Sequence, residues 1–594
     1  MDETRAPIRL SVPTLERTTL SFCGDSLESF EAWVNELPMA NVGAAAKQLF
    51  DAIRELNVTH QPSLKRFKML ELMRSRIYTI CDVLSKRYIT QSAALSDNDI
   101  RVANLAQTLQ SNLATGYKHV ILAELQQQHK DANSLKLLTF SIHRAITEIA
   151  QNILRNYQLY YQPPSNTWLE AHQMYYLAET RGLLTHSIKD SQCSLVSTST
   201  IKDIYCRLLL LGCAKPNQLR QQDMAALYQA TELWASRVRI VKENDPHSLF
   251  SFSFYRDTPP NYKKLQQEAP SHSMRGLDTH VLVHALSKHL QNEEGAVTVP
   301  AGLNETVITH VMHTWGVMVE RSFRRASTQG EIQVGMGMIS AHYFAAGEKS
   351  FPYLLKEWSP QAIERKKAQK TPGKGSDVWA KSFDAGQSYA PESDSIEFDA
   401  GAFFNKHKKN EPEPDTGPKG HVETGNIINT SPGGYCLTLD NTTSVVQAGE
   451  LVILREPRMP HWSLGIIRWL RTMRENGIQL GIEMLAPKVT PVGIRILNKT
   501  GENGELLRGL IMPALPAAGQ TETLIAPILP FKVGSKIEVH YNGDIQRALL
   551  NKRLNYSRSF AQYEFRGLTQ VGIETEAPSR QKDDDEFAGL WDKL

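Results

Sequence analysis

The spacing of apolar residues changes along this chain from a helical repeat to a strand repeat. Up to about residue 315, apolar residues recur every three or four positions, as in Phe67, Leu70, Met73 and Ile77. Beyond residue 420 the pattern is that of strands: apolar residues recur at every second position in 478–484, and 451–455 is a short apolar run. Because a helical repeat cannot place its apolar residues on one face of a strand, two architectures are required. We predict an α+β multidomain protein with an α-helical domain over residues 1–315, followed by antiparallel β structure.

Several further stretches of the first half have the same helical spacing. Breaks occur at Pro163-Pro164 and at Pro259-Pro260, where helices are expected to end. No fixed repeat length recurs along the chain, so we expect antiparallel helices rather than a regular solenoid. The predicted helices cover 102–125, 135–161, 168–184, 201–213, 224–241 and 277–290.

A polar segment, residues 359–419, separates the helical half from most of the β region. It is rich in Lys, Ser, Gly, Pro and Asp, and we predict a disordered insertion. The dipeptides Asn503-Gly504 and Asn542-Gly543 favour hairpin turns, because both residue types accept positive φ. We expect a closed barrel rather than a sandwich. The predicted strands are 451–455, 464–470, 478–484, 492–497, 506–512 and 537–541.

Charge and composition exclude several classes of protein. The chain has 66 Lys and Arg against 63 Asp and Glu, so no chain-wide positive field exists to hold a nucleic acid, and an anionic ligand must be bound by a local cluster. The longest apolar run, 208–211, is too short to cross a bilayer, and Asp2 and Glu3 are unlike a signal peptide, so we expect a cytoplasmic protein. The six cysteines form no Cys-x-x-Cys pair, and we expect no disulfide, metal or cofactor.

The helix that is predicted to begin near Asn304 ends in three arginines, Arg321, Arg324 and Arg325. By themselves they are typical of a solvated helix C-terminus, which attracts cations. A strand is predicted after them at 330–339.

A second motif follows the insertion. Asn429-x-Ser431-x-x-Gly434 precedes a predicted strand and the entry Gly449-Glu450 into another, although a plain turn between strands could have the same composition. Taken in order, Arg321-x-x-x-Arg325 and this motif resemble the two motifs of the PilZ family. The predicted strands near Trp462 and Gly477 lie where the later strands of such a barrel are expected.

The resemblance covers 320–343 and 420–487, and PilZ domains are bacterial receptors for cyclic di-GMP. It implies a PilZ-like barrel built from 316–358 and 420–487. From the residue pattern we further predict an additional β segment over 488–572 and an acidic tail over 573–594. About a hundred residues separate the two motifs, several times the usual family spacing, so the insertion must form a long loop between the first two strands. The implied ligand-binding residues are Arg321, Arg324, Arg325, Asn429, Ser431, Gly433 and Gly434.

The residue types suit this ligand. Cyclic di-GMP carries two phosphates and two guanine edges, and an arginine fork can bind either group with two hydrogen bonds while its plane stacks on a base. Asn429 and Ser431 are short polar groups that can reach a phosphate or a guanine edge. Gly433 and Gly434 allow positive φ and a close approach of the backbone to the ligand.

Other signals do not indicate catalysis. His280-x-x-x-His284 has the spacing of metal ligands, but no Glu-x-x-His context or third ligand accompanies it. The chain has no Gly-x-Ser-x-Gly elbow and no Gly-Lys-Ser/Thr phosphate loop. We therefore expect that the protein is not an enzyme.

The C-terminal tail combines an acidic run at 583–586 with apolar residues at helical spacing, typical of a helical docking peptide. A tail that merely rests on the barrel is the alternative. We predict a non-catalytic receptor that couples cyclic di-GMP binding to the orientation of the helical domain and to a protein partner, bound through the helical domain or the tail. The alternative is a helical scaffold whose degenerate barrel binds no nucleotide. The apolar tail residues are Phe587, Leu590, Trp591 and Leu594.

Overall fold

The structure is a computed structural model that describes residues 8–89, 92–127, 131–265, 273–317, 326–359, 415–457, 459–473, 477–498, 504–514 and 521–568. The chain divides into two compact units. The first unit is Met1–Ser350, Pro418–Val489 and Tyr556–Phe560, and the second is Phe351–Gly417, Thr490–Asn555 and Ala561–Leu594. Among the described helices, none has the length and apolar character needed to cross a membrane.

Ten helices are described in the helical part of the first unit. The predicted apolar face is confirmed in α3, where Leu70, Met73 and Ile77 are fully buried. The helices are α1 Leu27–Asn35, α2 Val42–Val58, α3 Ser63–Tyr88, α4 Asp97–Gln126, α5 Ala132–Gln158, α6 Thr167–Thr180, α7 Ile201–Cys213, α8 Gln221–Trp234, α9 His280–Gln291 and α10 Glu305–Gly316.

Short strands interrupt this region, which the apolar spacing did not predict. The helix expected over 224–241 ends at Trp234, and the β-branched pair Ile240-Val241 lies in a strand because it pairs with β6 across the sequence. Four of the strands form one sheet in the order β3-β6-β4-β5. The strands are β1 Ile188–Lys189, β2 Thr198–Ser199, β3 Arg239–Lys242, β4 Phe250–Ser253, β5 Asn261–Tyr262 and β6 Met274–Asp278.

A closed six-stranded antiparallel barrel, the first barrel, completes the first unit. Its strand order is β7-β8-β9-β12-β11-β10, with β10 pairing back onto β7. The prediction that the two motifs flank neighbouring strands is confirmed. Strand β7 pairs with β8, although residues 337–422 lie between the two strands in the sequence. The strands are β7 Ala326–Met336, β8 Glu423–Ser431, β9 Gly434–Asp440, β10 Leu451–Arg455, β11 Ser463–Thr472 and β12 Gly477–Ala486.

The segment after β7 differs from the predicted strand at 330–339. The strand ends at Met336, and Gly337, with φ of +78°, begins helix α11, Gly337–Ala345. A further helix, α12 Phe351–Glu357, clusters with the second unit, whereas we expected residues up to 358 in the first barrel. The insertion lies largely outside the described residues, so its disorder stays a prediction.

Backbone hydrogen bonds join the helical part of the first unit to the first barrel. Ala93 N donates to Val446 O at 2.8 Å, and Thr472 N donates to Tyr160 O at 3.1 Å. The Arg220 Nε donates to Ala448 O at 3.0 Å. The helices and this barrel therefore pack as one body, and no flexible linker of described residues separates them.

The second unit contains a second closed barrel, with the order β13-β14-β15-β18-β17-β16. These connections repeat those of the first barrel strand for strand. The hairpin predicted at Asn542-Gly543 is confirmed by φ values of +48° and +87°, whereas Asn503 lies outside the described residues. Trp358, which follows α12, packs with Tyr541 at 5.9 Å between ring centroids. The strands are β13 Thr490–Ile496, β14 Leu507–Met512, β15 Thr523–Ala526, β16 Lys536–Tyr541, β17 Asp544–Tyr556 and β18 Ala561–Gly567.

Candidate ligand-binding site

The second motif forms the hairpin between β8 and β9. Asn429 and Ser431 end β8, Pro432-Gly433 make the turn, and Gly434 begins β9 opposite Ser431. The Ser431 hydroxyl donates to the Gly434 carbonyl at 3.4 Å, and Met484 N donates to the Gly433 carbonyl at 3.0 Å. One hydrogen bond within the turn and one from the neighbouring strand β12 therefore stabilise the turn.

Gly434 is required by close packing of two strands. A Cβ at this position would overlap the carbonyl oxygen of Ile482 on β12, and φ at Gly434 is +156°. We expected this glycine to allow approach of the backbone to a ligand, and that role stays a prediction. The described contacts show a packing role, because the glycine lets β9 and β12 approach each other, which fixes the hairpin on the barrel.

A β-bulge places Asn429 on the outer face of the barrel. The register of β8 against β9 shifts between Ile427 and Asn429, so that Asn429 lies opposite Cys436. Leu437 and Leu439 are buried and face the interior, so Cys436 and its partner face outward. In a regular strand Asn429, two residues after Ile427, would share the inward side of Ile427. The bulge thus turns the side chain of Asn429 to the outer face of the barrel.

Strand β7 brings the first motif to the same end of the barrel. Ser327 lies opposite Asn429, and Ala326 lies opposite Thr430. Ala326 is the first residue after the predicted arginine cluster. The helix was expected to reach these arginines, whereas α10 ends at Gly316 and Val317 is extended. Arg321, Arg324 and Arg325 themselves lie outside the described residues, so their contacts stay a prediction.

One site feature was missed by the sequence analysis. Trp469 on β11 lies opposite Gly481 on β12, and a Cβ at Gly481 would overlap the indole ring. Gly481 lies opposite Cys436, which lies opposite Asn429. A glycine within a strand pattern indicates a close approach, and this signal could have identified the pair. The outward row across five strands, the cross-strand row, is Ser327, Asn429, Cys436, Gly481 and Trp469.

The charged and polar groups near the hairpin are paired. Glu483 lies opposite Gly434, and its carboxylate accepts from Arg468 Nε at 2.7 Å and from Arg468 Nη2 at 3.0 Å. The Tyr435 hydroxyl donates to Glu456 at 2.6 Å, and burial together with this carboxylate raises the pKa of Tyr435 to about 12. Tyr435 is thus a neutral donor at physiological pH.

No group of three His, Cys, Asp or Glu side chains that could hold a metal ion occurs in the described part of the chain. The cross-strand row instead offers the hydroxyl of Ser327, the amide of Asn429 and the indole of Trp469, since Cys436 and Gly481 between them are buried. Such a surface can bind a planar, hydrogen-bonding ligand.

Comparisons with known proteins cover the whole chain. Three family models match in order: "Cyclic-di-GMP receptor FimW, N-terminal domain" over 28–245, "Cyclic-di-GMP receptor FimW, middle PilZ domain" over 249–491 and "FimW C-terminal beta-barrel domain" over 492–568. The Cyclic-di-GMP receptor FimW of Pseudomonas aeruginosa is 32% identical over 617 residues, covering 100% of both chains. No solved structure matches.

The resemblance to the PilZ family is thereby confirmed, and so is the α+β class with antiparallel barrels. The middle PilZ match begins at 249 and so takes in β4 to β6, α9 and α10, whereas we expected the barrel domain to begin at 316. The chain belongs to the FimW family, named for the cyclic-di-GMP receptor FimW.

Proposed function

We propose that the protein is a non-catalytic bacterial receptor for cyclic di-GMP, which binds on the outer face of the first barrel without a further cofactor. The observation that carries this proposal is the pairing of β7 with β8, in which Ser327 lies opposite Asn429 and Ala326 lies opposite Thr430. The proposed ligand-binding residues are Arg321, Arg324, Arg325, Asn429, Ser431, Gly433 and Gly434.

Chain connectivity supports the arginines as part of this site. Arg325 is bonded to Ala326, and consecutive Cα atoms lie about 3.8 Å apart. Ala326 in turn lies opposite Thr430, between the two polar residues of the second motif. Opposed residues of antiparallel strands have Cα atoms only about 5 Å apart. A ligand that contacts Asn429 and Ser431 is therefore within reach of the long arginine side chains.

The roles follow from the chemistry of the groups. Guanidinium forks bind phosphate oxygens or guanine O6 and N7 through charge-assisted hydrogen bonds. The amide of Asn429 can donate and accept at a guanine edge, and the hydroxyl of Ser431 can donate to a phosphate. Trp469 offers an aromatic face at the far end of the cross-strand row, and stacking of a base on an aromatic ring contributes about 1 to 3 kcal/mol.

Electrostatics at the hairpin allow an anionic ligand to approach. Glu483 lies next to the turn, but its carboxylate is bound by both arms of the Arg468 guanidinium. The pair is 40% and 49% exposed, so the residual repulsion of a phosphate is screened by solvent. Asn429 and Ser431 add no negative charge to the site.

We further infer that ligand binding acts on the connection between α10 and β7, because the arginines occupy that connection. Helix α10 ends at Gly316, and β7 begins at Ala326. Restraining these residues would bias the orientation of the helical part and its contact with a protein partner, made through that part or through the tail. Because hydrogen bonds such as Ala93 N to Val446 O already join helices and barrel, a change of orientation must strain them.

Calorimetric titration of the full chain with cyclic di-GMP tests the proposal. We expect saturable binding, with no comparable binding of a linear guanine dinucleotide. A chain that is folded by circular dichroism but gives no binding would favour the alternative, a helical scaffold with a degenerate barrel. The distance between a probe on α5 and a probe on β11, measured with and without saturating cyclic di-GMP, tests the coupling separately. Binding without a change in this distance would mean that the ligand does not alter the orientation of the helical part.

A further inference from the structure

The outer face of the second barrel carries a concentration of positive charge. Ile494, Ile537, Ala548 and Leu550 are buried in the barrel, so the residues that alternate with them on β13, β16 and β17 face outward. The register places Arg495, Glu538 and Arg547 side by side in one row. The outward cationic residues, named here the basic face, are Arg495, Lys536, Arg547 and Arg553.

One carboxylate, Glu538, stands at these outward positions of the three strands, and it is already occupied. Its Oε2 accepts from Arg495 Nε at 2.9 Å and from Arg495 Nη2 at 2.7 Å, and its Oε1 lies 3.4 Å from Arg547 Nε. Glu538 is buried, whereas the Arg547 side chain is 63% exposed. Four cations thus share the outward positions of the three strands with a single carboxylate, in a chain whose total net charge is only +3. The basic face is suited to an acidic partner.

The chain leaves this barrel next to the basic face. Leu568, which follows β18, donates its backbone N–H to the carbonyl of Arg547 at 2.7 Å. The remaining residues, 569–594, lie outside the described residues and contain the acidic run at 583–586. Fourteen residues lie between Leu568 and Asp583. A flexible chain of that length spans about 20 Å and at most about 50 Å, so the run can reach every residue of the basic face.

We propose that the acidic run of the tail binds the basic face of the same chain. Individual exposed ion pairs are weak. The tether compensates, because it holds the run at an effective concentration on the order of millimolar beside its target. The apolar residues that follow the run, with Trp591 among them, are then held at the second barrel, and a protein partner must displace them. This inference is independent of cyclic di-GMP binding at the first barrel.

Carbodiimide crosslinking of the full chain, read by mass spectrometry, tests the proposal. The reagent joins a lysine amine to a carboxylate only when the two are in contact. We expect links between Lys536 and the peptide that contains 583–586, and we expect their yield to fall about ten-fold at about 1 M salt, where the screening length is about 3 Å. An equal mixture of ordinary and 15N-labelled chain distinguishes a link within one chain from a link between two copies.

Variants decide whether the basic face is responsible. Arg547→Gln combined with Arg553→Gln should lower the yield of the link to Lys536 several-fold, and Lys532→Gln, an exposed lysine outside the basic face, should leave it unchanged. Because Arg547 also contacts Glu538, the double variant could be less stable than the unaltered chain. If its melting temperature is lower, Arg553→Gln alone replaces it and should lower the yield of the link to Lys536 about two-fold. The proposal is overturned if no link to Lys536 forms, if the links join two copies, or if the yield is the same in all variants.

Discussion

The two barrels share one set of strand connections but differ in how regular their strands are. In the first barrel, the register of β8 shifts against both neighbours, and β8 turns into β9 within two residues. In the second barrel, β14 pairs with β13 and β15 without a register shift, and residues 513–522 connect β14 to β15. Gly434 is the first residue of β9, whereas the first residue of the corresponding strand β15 is Thr523, which carries a side chain. Only Pro487, Lys488 and Val489 precede β13 after β12, where the first barrel has arginines before β7.

The difference distinguishes the proposed binding site from the barrel fold that carries it. Both barrels close by pairing six antiparallel strands, so the fold positions equivalent edges in each. The site of the first barrel depends on local departures from regularity, namely the extra residue Ile428, the glycine Gly434 and the glycine Gly481 beneath Trp469. We therefore expect ligand binding at the first barrel and none at the second.

The largest effect is expected from Gly434→Ala. The added Cβ would overlap Ile482 O, so β9 and β12 must separate, and we expect the free energy of unfolding to fall by about 3 kcal/mol. The matched control is Gly330→Ala on β7, where the nearest atom to the new Cβ is 4.0 Å away and a change below about 0.5 kcal/mol is expected. Chemical denaturation measures both variants. Equal stabilities would mean that the hairpin adapts and that the glycine is not required by packing.

A smaller effect is expected from Trp469→Ala. If the indole forms one wall of the site, the affinity for cyclic di-GMP should fall by about 1 to 2 kcal/mol, and Trp469→Phe should retain most of it. Tyr541→Ala, an exposed aromatic residue of the second barrel, is the control and should leave the affinity unchanged. Calorimetric titration provides the measurement. Full affinity in Trp469→Ala would confine the site to the β7, β8 and β9 side of the barrel.

The smallest effect is expected from replacing residues 360–414 by a flexible Gly/Ser linker. The β7–β8 pairing is made by described residues on either side of the replaced segment, so the affinity should stay within a few-fold. Titration and thermal melting of the shortened chain check this. Loss of the folded state would show that the segment contributes a structural element to one of the barrels.

Local pattern was sufficient for the regular elements. The strand predicted at 451–455 coincides with β10, and the Asn542-Gly543 turn has the positive φ values that its residues favour. The two motifs and their order were also recognised from the sequence, and they identified the resemblance to the PilZ family. These features depend on neighbours within a few positions, where periodicity and turn chemistry act directly.

Features that depend on distant pairing could not be predicted in the same way. The bulge at Ile428 exists only because Asn429 aligns with Cys436 on another strand, and the overlap of Trp469 with Gly481 joins two strands. Ile240-Val241 lies in a strand because β6 is available to pair with it. Helix α11 was missed because Met338 and Ile339 continue the apolar pattern of β7, whereas the backbone turns at Gly337. In each case a tertiary contact decides the local structure.

The central claim is that the two motifs, far apart in sequence, bind one ligand at the end of the β7–β8 pair. Titration of Arg321→Ala and Arg325→Ala with cyclic di-GMP tests it most directly, with Arg101→Ala, an exposed arginine of α4, as the control. Each site variant should lose about 2 kcal/mol of binding free energy, roughly 30-fold in Kd, because a charge-assisted contact is removed. The control should bind as the unaltered chain does. Unchanged affinity in both site variants would contradict the account and favour a barrel that binds no nucleotide.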